Sequence, residues 1–333
     1  MNIKAIASAL PDWIVDNDTI EDWCELPADM VASKLGVVTR HFLRADQTGT
    51  DLSAQAVQNL SDCNPDFDLG KIGLLLVVTQ NPDYQLPHNS ALMQHRLGLS
   101  QSTACFDISL GCSGYVYALS VAKGFMVSEQ VEEALIITCD PYSKCMHRSN
   151  RDVVGLFGDA ATVTWLRGDG LGAIGRGDFG TDGSGAGSLI RRSGGSAHPL
   201  ENFDKAPVIE ASDSDRFLHM NGRAIFNFLL SRVPRTVQSC LSKNGITRNQ
   251  VDFFVFHQAS RYLLETLRDR MGLDPHRVPI SLEETGNTVS STIPLVLESL
   301  LKQGSLNAQM VLVCGFGVGL SWASNLINFG ERS

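Results

Sequence analysis

Nowhere in its 333 residues does this chain run through the roughly 18 uninterrupted apolar residues that a membrane helix needs, so a soluble protein is expected. No targeting leader is expected either: MNIKAIASALPDWIVD carries one lysine and a short apolar run before Pro11 and Asp12, which reads as a first strand. Positive charge is in short supply. Lys and Arg number 27 against 36 Asp and Glu, the net charge is −9, and no basic stripe interleaved with aromatics offers itself to nucleic acid. Metal-ligand spacing is absent as well, since none of the eight cysteines form a CxxC pair and the eight histidines are scattered. Without a leader, the cysteines are expected as reduced thiols of a cytoplasmic protein, most of them in the core.

What is there is apolar and periodic. At 43% apolar composition the chain buries a large core, as two domains or one duplicated unit. Strand-like runs at 71–80 (KIGLLLVVTQ), 131–140 (VEEALIITCD), 251–258 (VDFFVFHQ) and 308–317 (AQMVLVCGFG) alternate with helix-like ones. That alternation predicts an α/β fold with buried, largely parallel strands. A Gly- and Ser-rich passage between 167 and 207 divides the chain, giving expected halves 1–170 and 171–333.

The halves repeat each other. In the first, LLLVVTQ leads to RLGL, then FDISL, then Cys112, a helix, and ALIITC ending at Cys139. In the second, FFVFHQ leads to RMGL, then VPISL, then Asn287, a helix, and VLVC ending at Cys314. The interval from the first marked residue to the last is 27 residues in both. A duplicated α/β unit follows, and ligands of open α/β sheets gather at the carboxyl ends of the strands. Cys112, His257 at the end of FFVFH, and Asn287 therefore converge as candidates near a pseudo-twofold axis.

Their chemistry can be read individually. A cysteine at a helix start lies beside unpaired N–H groups and the positive end of the helix dipole, which predicts a lowered pKa and a usable thiolate. His257 follows an apolar run, where it must either find partners or line a cavity. Asn287, in EETGNTVSS, suits a turn or a helix cap equally well. The order Cys, His, Asn also occurs in papain-like proteases, but their C-G-[SA]-C-[WY] signature is absent and a duplicated α/β core is foreign to that fold. GLGAIG at 170–175 matches the dinucleotide fingerprint without the helix it requires.

Six segments in order resemble the β-ketoacyl-acyl carrier protein synthase III branch of the thiolase-fold condensing enzymes. They are ISLGCSGYVYALSVAKGFM around Cys112, LFGDAATV (156–163), HMNGRAIFNF (219–228), VFHQAS (255–260), ETGNTVSSTIP (284–294) and GFGVGLSW (315–322). The resemblance covers nearly the whole chain. It implies a thiolase-like fold of duplicated halves layered α-β-α-β-α, and no cofactor beyond a coenzyme A thioester as substrate. Cys112 would carry an acyl group taken from acyl-CoA or an acyl carrier protein. His257 and Asn287 would then hydrogen-bond the thioester carbonyl of malonyl-acyl carrier protein during decarboxylative Claisen condensation. The backbone N–H groups of Cys112 and Gly319 would form the oxyanion hole.

The resemblance also assigns outlying residues. Arg151 matches an arginine that contacts the nucleotide end of coenzyme A, but the tryptophan that would complete the clamp is replaced by Met30 or Val31, and an arginine of that motif by Lys34. Arg223 and Arg261 are candidates for receiving an acidic carrier protein, or else are solvated surface residues. Leu86, Tyr142 and Phe157 fall in the acyl pocket, with Leu86 where the family often places a phenylalanine reaching across a homodimer. That smaller residue leaves room for a longer or branched primer and favours a specialised lipid or secondary-metabolite pathway. Two alternatives keep the fold: an acyltransferase that does not decarboxylate, and a non-catalytic partner subunit of a condensing heterodimer.

Overall fold

The structure is a computed structural model that describes residues 1–129, 131–170, 172–198 and 213–330. The expected boundary between the halves touches Leu171, which lies outside the described residues, as does 199–207 of the Gly- and Ser-rich passage. No helix among the described residues is long and apolar enough to cross a membrane.

Ten strands hydrogen-bond into one ladder. They are β1 (Asn2–Ala9), β2 (Ile72–Val78), β3 (Ala104–Ile108), β4 (Glu133–Cys139), β5 (Ala161–Arg167), β6 (Gly172–Ile174), β7 (Asp178–Thr181), β8 (Phe253–Phe256), β9 (Met310–Gly317) and β10 (Ser321–Asn328). The order is β8-β9-β10-β6-β1-β5-β4-β2-β3, with β7 also pairing β10. Six helices pack on this sheet: α1 (Gly49–Cys63), α2 (Asn89–Arg96), α3 (Gly114–Ser128), α4 (Gly222–Asn244), α5 (Arg261–Met271) and α6 (Thr292–Lys302).

Alternation along the strands explains the layering. Side chains of a strand point to opposite faces in turn, so a run apolar at every position needs cover on both. In β2, Leu74, Leu76 and Val78 face α3, while Leu75 and Val77 face α1 and α2. In β8 and β9, Val255, Val311 and Val313 join the cluster around α3 and α6, whereas Phe254, Phe256 and Leu312 pack with α4 and α5. Helices α3 and α6 thus lie between two sheet regions, giving the α-β-α-β-α stack. The sequence of α3, GYVYALSVAKGFMVS, is apolar almost all round because both sides are covered. Leu119 at its centre is fully buried, so Leu119→Ala would cost about 2–5 kcal/mol.

The pairing sense repeats. In the first half β3·β2 and β2·β4 are parallel, and β4·β5 and β5·β1 antiparallel. In the second, β8·β9 is parallel, and β9·β10 and β10·β6 antiparallel. One element departs from the repeat: VPISL, the counterpart of β3, forms no strand. Pro279 has no N–H to give a ladder. The Gln258 side chain stands in for the missing pairing, accepting from Ser281 N at 2.8 Å and donating to Phe256 O at 2.7 Å.

Candidate active site

Cys112 lies two residues before α3, at the end of the chain leaving β3. Its surroundings are tight on one side. A Cβ at Gly317 would come within 2.8 Å of the Cys112 sulfur, and one at Gly315 within 2.5 Å of its carbonyl oxygen. Only glycines let this strand end approach so closely. The backbone N–H of Val318, just beyond, donates to the Cys112 sulfur, and Gly319 follows it.

The second half supplies the partners. His257 continues β8, its backbone N–H donating to Cys314 O at 2.9 Å. Asn287 is threaded against the first half: its N–H donates to Leu156 O at 2.9 Å, and Gly158 N–H donates to its carbonyl at 3.1 Å. The Asn287 Oδ1 accepts from Val289 N at 2.9 Å, which fixes the amide and turns Nδ2 toward His257 Nε2, 3.5 Å away. Holding that N–H in place puts buried Val289 at φ 55°, a left-handed conformation that costs a β-branched residue about 1–3 kcal/mol. His257 Nδ1 lies 2.7 Å from the Thr292 hydroxyl, whose oxygen is also 3.1 Å from Val289 O. A single hydroxyl hydrogen therefore chooses between two acceptors.

Burial sets the charges. The Cys112 thiol is pushed up to about 12, first by burial and then by the charge of Asp140, against the N–H groups of Cys112 and Val318. The expected lowering is thus overturned. Donors are present at the helix start, but loss of water from an enclosed sulfur outweighs them, and the resting thiol is neutral. Burial likewise takes His257 down to about 3, leaving a neutral imidazole. Asp140 itself rises to about 6, chiefly through burial, while Gln80 N–H and the Ser290 hydroxyl donate to it at 2.6 and 2.5 Å.

Cys112, His257 and Asn287 all line one cavity of about 200 Å³, together with Phe157, Met220, Phe226 and other apolar side chains. Tyr142 and Gly319 line a second cavity of about 330 Å³. The Tyr142 and Phe157 rings stand between, 5.1 Å apart. Leu86 lines neither and is 87% exposed. Lys34, Arg223 and Arg261 do not line the first cavity, though each is next in sequence to a residue that does, Leu35, Gly222 and Ser260. Arg261 is half-buried against Gly36 and pairs with Glu283 at 3.4 Å. Arg151 is elsewhere, donating to Glu25 O at 2.8 Å. Where a clamp tryptophan would stand, Met30 is exposed and Val31 buried. Residues the sequence did not single out include Asp140, Thr292, Gln80 and Val318. Thr292, five residues past Asn287, had no signal of its own.

A five-layered α/β fold whose strand ends bring a thiol, an imidazole and a carboxamide to one buried cavity defines a thiolase-like acyl-transferring enzyme. The comparisons narrow the class. The family described as 3-oxoacyl-[acyl-carrier-protein] synthase III matches residues 106–183, and its C-terminal part residues 241–329. The beta-ketoacyl-[acyl-carrier-protein] synthase III of Lactococcus lactis subsp. lactis is 31% identical over 98% of both chains. A solved 3-oxoacyl-(acyl-carrier-protein) synthase III superposes with a TM-score of 0.91 at 37% identity, covering 98% of this chain and 99% of that one. The corresponding synthase of Burkholderia xenovorans gives 0.89 at 33%, covering 99% and 94%. The chain belongs to the 3-oxoacyl-[acyl-carrier-protein] synthase III family of condensing acyltransferases.

Proposed function

We propose that the protein acylates Cys112 from an acyl thioester and then condenses that acyl group with malonyl-acyl carrier protein, releasing CO₂. The observation that carries this reading is the meeting of Cys112, His257 and Asn287 on one cavity, with one residue from the first half and two from the second. In the first step the Cys112 sulfur attacks the thioester carbonyl, the C–S bond to the carrier breaks, and the thiol proton ends on the departing carrier sulfur. The carbonyl oxygen is met by the N–H groups of Cys112 and Gly319.

In the second step the carboxylate of the malonyl group leaves as CO₂ and its electron pair passes to the thioester carbonyl as an enolate. Asn287 Nδ2 donates to that oxygen, and His257 Nε2 donates when Thr292 gives its hydrogen to Nδ1. The enolate carbon then attacks the acyl carbonyl, the bond to Cys112 breaks, and a β-ketoacyl thioester forms. No resident cofactor is needed.

Lys34, Arg223 and Arg261, each next in sequence to a residue lining the first cavity, receive the acidic carrier, while Arg151 contributes to the coenzyme A end. Exposed Leu86 supports a homodimer in which this side chain reaches the partner's acyl pocket, formed with Tyr142 and Phe157. The repeated pairing order supports a duplication with halves 1–170 and 171–333.

The test is a panel of acyl-CoA and acyl-carrier-protein thioesters, with the acyl mass sought on the peptide containing Cys112. Malonyl-acyl carrier protein is then added. Acylation at Cys112 followed by CO₂ release with β-keto product is expected. Acylation without CO₂ release would leave a simple transferase, and acylation of a different cysteine would remove Cys112 from the role.

A further inference from the structure

The second cavity differs from the first in kind, because its wall carries polar side chains with donors that have no hydrogen-bond partner among the described residues. Gln80, Asn81, Tyr142 and Arg191 share it with Leu189, Leu218 and Val318. The buried Tyr142 hydroxyl donates to Gln80 Oε1 at 3.2 Å, which orients the Gln80 amide and leaves Nε2 without a hydrogen bond among the described residues. Arg191 donates from Nε to Arg216 O at 2.9 Å, and its two Nη groups make no ion pair among the described residues. Asn81 Nδ2 is occupied by Pro141 O at 2.8 Å. No Asp or Glu lines the cavity. The nearby Asp140 has its oxygens engaged by Gln80 N–H and Ser290.

The cavity also adjoins the reacting atom. Val318, whose N–H reaches the Cys112 sulfur, lines it, and Leu189 lines both cavities. An acyl tail attached to Cys112 and passing Tyr142 would share this cavity with the Gln80 amide, which packs against Gly111, and with Arg191.

We propose that this cavity selects acyl groups ending in a carboxylate, with Arg191 and Gln80 Nε2 as the donors that hold it. The inference rests on Cys112 as the acyl-carrying nucleophile and names the substrate class of that same site. A guanidinium whose two Nη groups pair with no described residue matches a carboxylate better than any neutral acceptor, since both N–H···O bonds are charge-assisted. The Gln80 amide adds a second, uncharged contact.

Adipoyl and hexanoyl thioesters have six carbons each and differ at the terminal group, so their ratio isolates the effect. Both are offered as CoA and as acyl-carrier-protein thioesters, and acylation of Cys112 is followed by mass in the wild type, Arg191→Leu and Gln80→Glu. The wild type is expected to favour adipoyl. Arg191→Leu should lower the adipoyl-to-hexanoyl ratio roughly tenfold, the size of one partly solvated charged hydrogen bond. Gln80→Glu keeps the oxygen that Tyr142 needs and places negative charge where Nε2 stood, so it should turn the preference toward hexanoyl. A wild-type preference for hexanoyl with the ratio unmoved by either variant overturns the inference while leaving Cys112 in its role. Failure of every thioester to label Cys112 overturns both.

Discussion

The two strand-to-helix junctions occupy matching places in the repeat, yet they are built differently. In the first half, β3 ends four residues before Cys112 and α3 starts two residues after it. In the second, the counterpart of β3 is no strand, and four residues separate Asn287 from α6. Three of those four do the fixing: Val289 N–H holds Asn287 Oδ1, the Ser290 hydroxyl donates to Asp140, and the Ser291 hydroxyl donates to Ala160 O at 3.0 Å. Thr292, at the helix start, reaches His257. One junction therefore presents a reactive atom on a short turn at a helix start. The other uses strained backbone and small polar side chains to hold two neutral groups against it.

If that division is right, the halves fail in different ways. Cys112→Ala should abolish the acyl-enzyme and cut turnover by roughly four orders of magnitude or more, read by intact mass and by product formation. Persistent acyl mass on another cysteine with turnover intact would break the comparison at its root. His257→Ala and Asn287→Ala should cost condensation roughly 100- to 1,000-fold while acylation changes within about tenfold, because their donors serve the developing enolate. Single-turnover kinetics separate the two steps. Equal loss of both would show that the second junction serves the nucleophile as well.

The asymmetry also explains what the sequence revealed. Runs such as IGLLLVV disclosed the buried strands because period and composition survive without tertiary information. The site trio was legible through the repeat and the family motifs. The sign of the Cys112 shift was not, since local features show the N–H groups at a helix start but not the enclosure that removes water. Nor was the donor-bearing wall of the second cavity, because Gln80 and Tyr142 are 62 residues apart and meet only once β2 and β4 pair. VPISL copies FDISL in pattern, and its proline together with a glutamine amide 21 residues upstream decides against a strand.

A smaller effect sharpens the second junction's role. Thr292→Val removes the hydroxyl that can donate to His257 Nδ1, leaving Val289 O as acceptor and locking the proton on Nδ1. His257 Nε2 then has no hydrogen to donate. Condensation should fall roughly thirtyfold, the value of about one hydrogen bond to a charged group, with acylation spared. Thr292→Ser should restore it. Nitrogen NMR of the imidazole supplies a readout that a packing defect would not move: the valine variant should show one fixed tautomer. Unchanged tautomer populations, or a serine variant as impaired as the valine one, would make Thr292 a packing residue only.

The smallest expected effect lies in the wild type and tests the first junction. With the thiol near 12, the thiolate fraction at neutral pH is small and grows about tenfold per pH unit. Iodoacetamide labelling of Cys112, followed by peptide mass, should therefore climb without levelling between pH 7 and 10. Neutral His257, titrating near 3, adds no inflection in that range. Asp140 gives the finer signal. Its carboxyl loses its proton as pH rises through about 6, and the new negative charge disfavours the thiolate. The climb should accordingly be shallower between pH 5 and 7 than above. A plateau near pH 7 would mean that the helix-start donors prevail over burial, and the first junction would then hold a charged nucleophile facing two neutral donors.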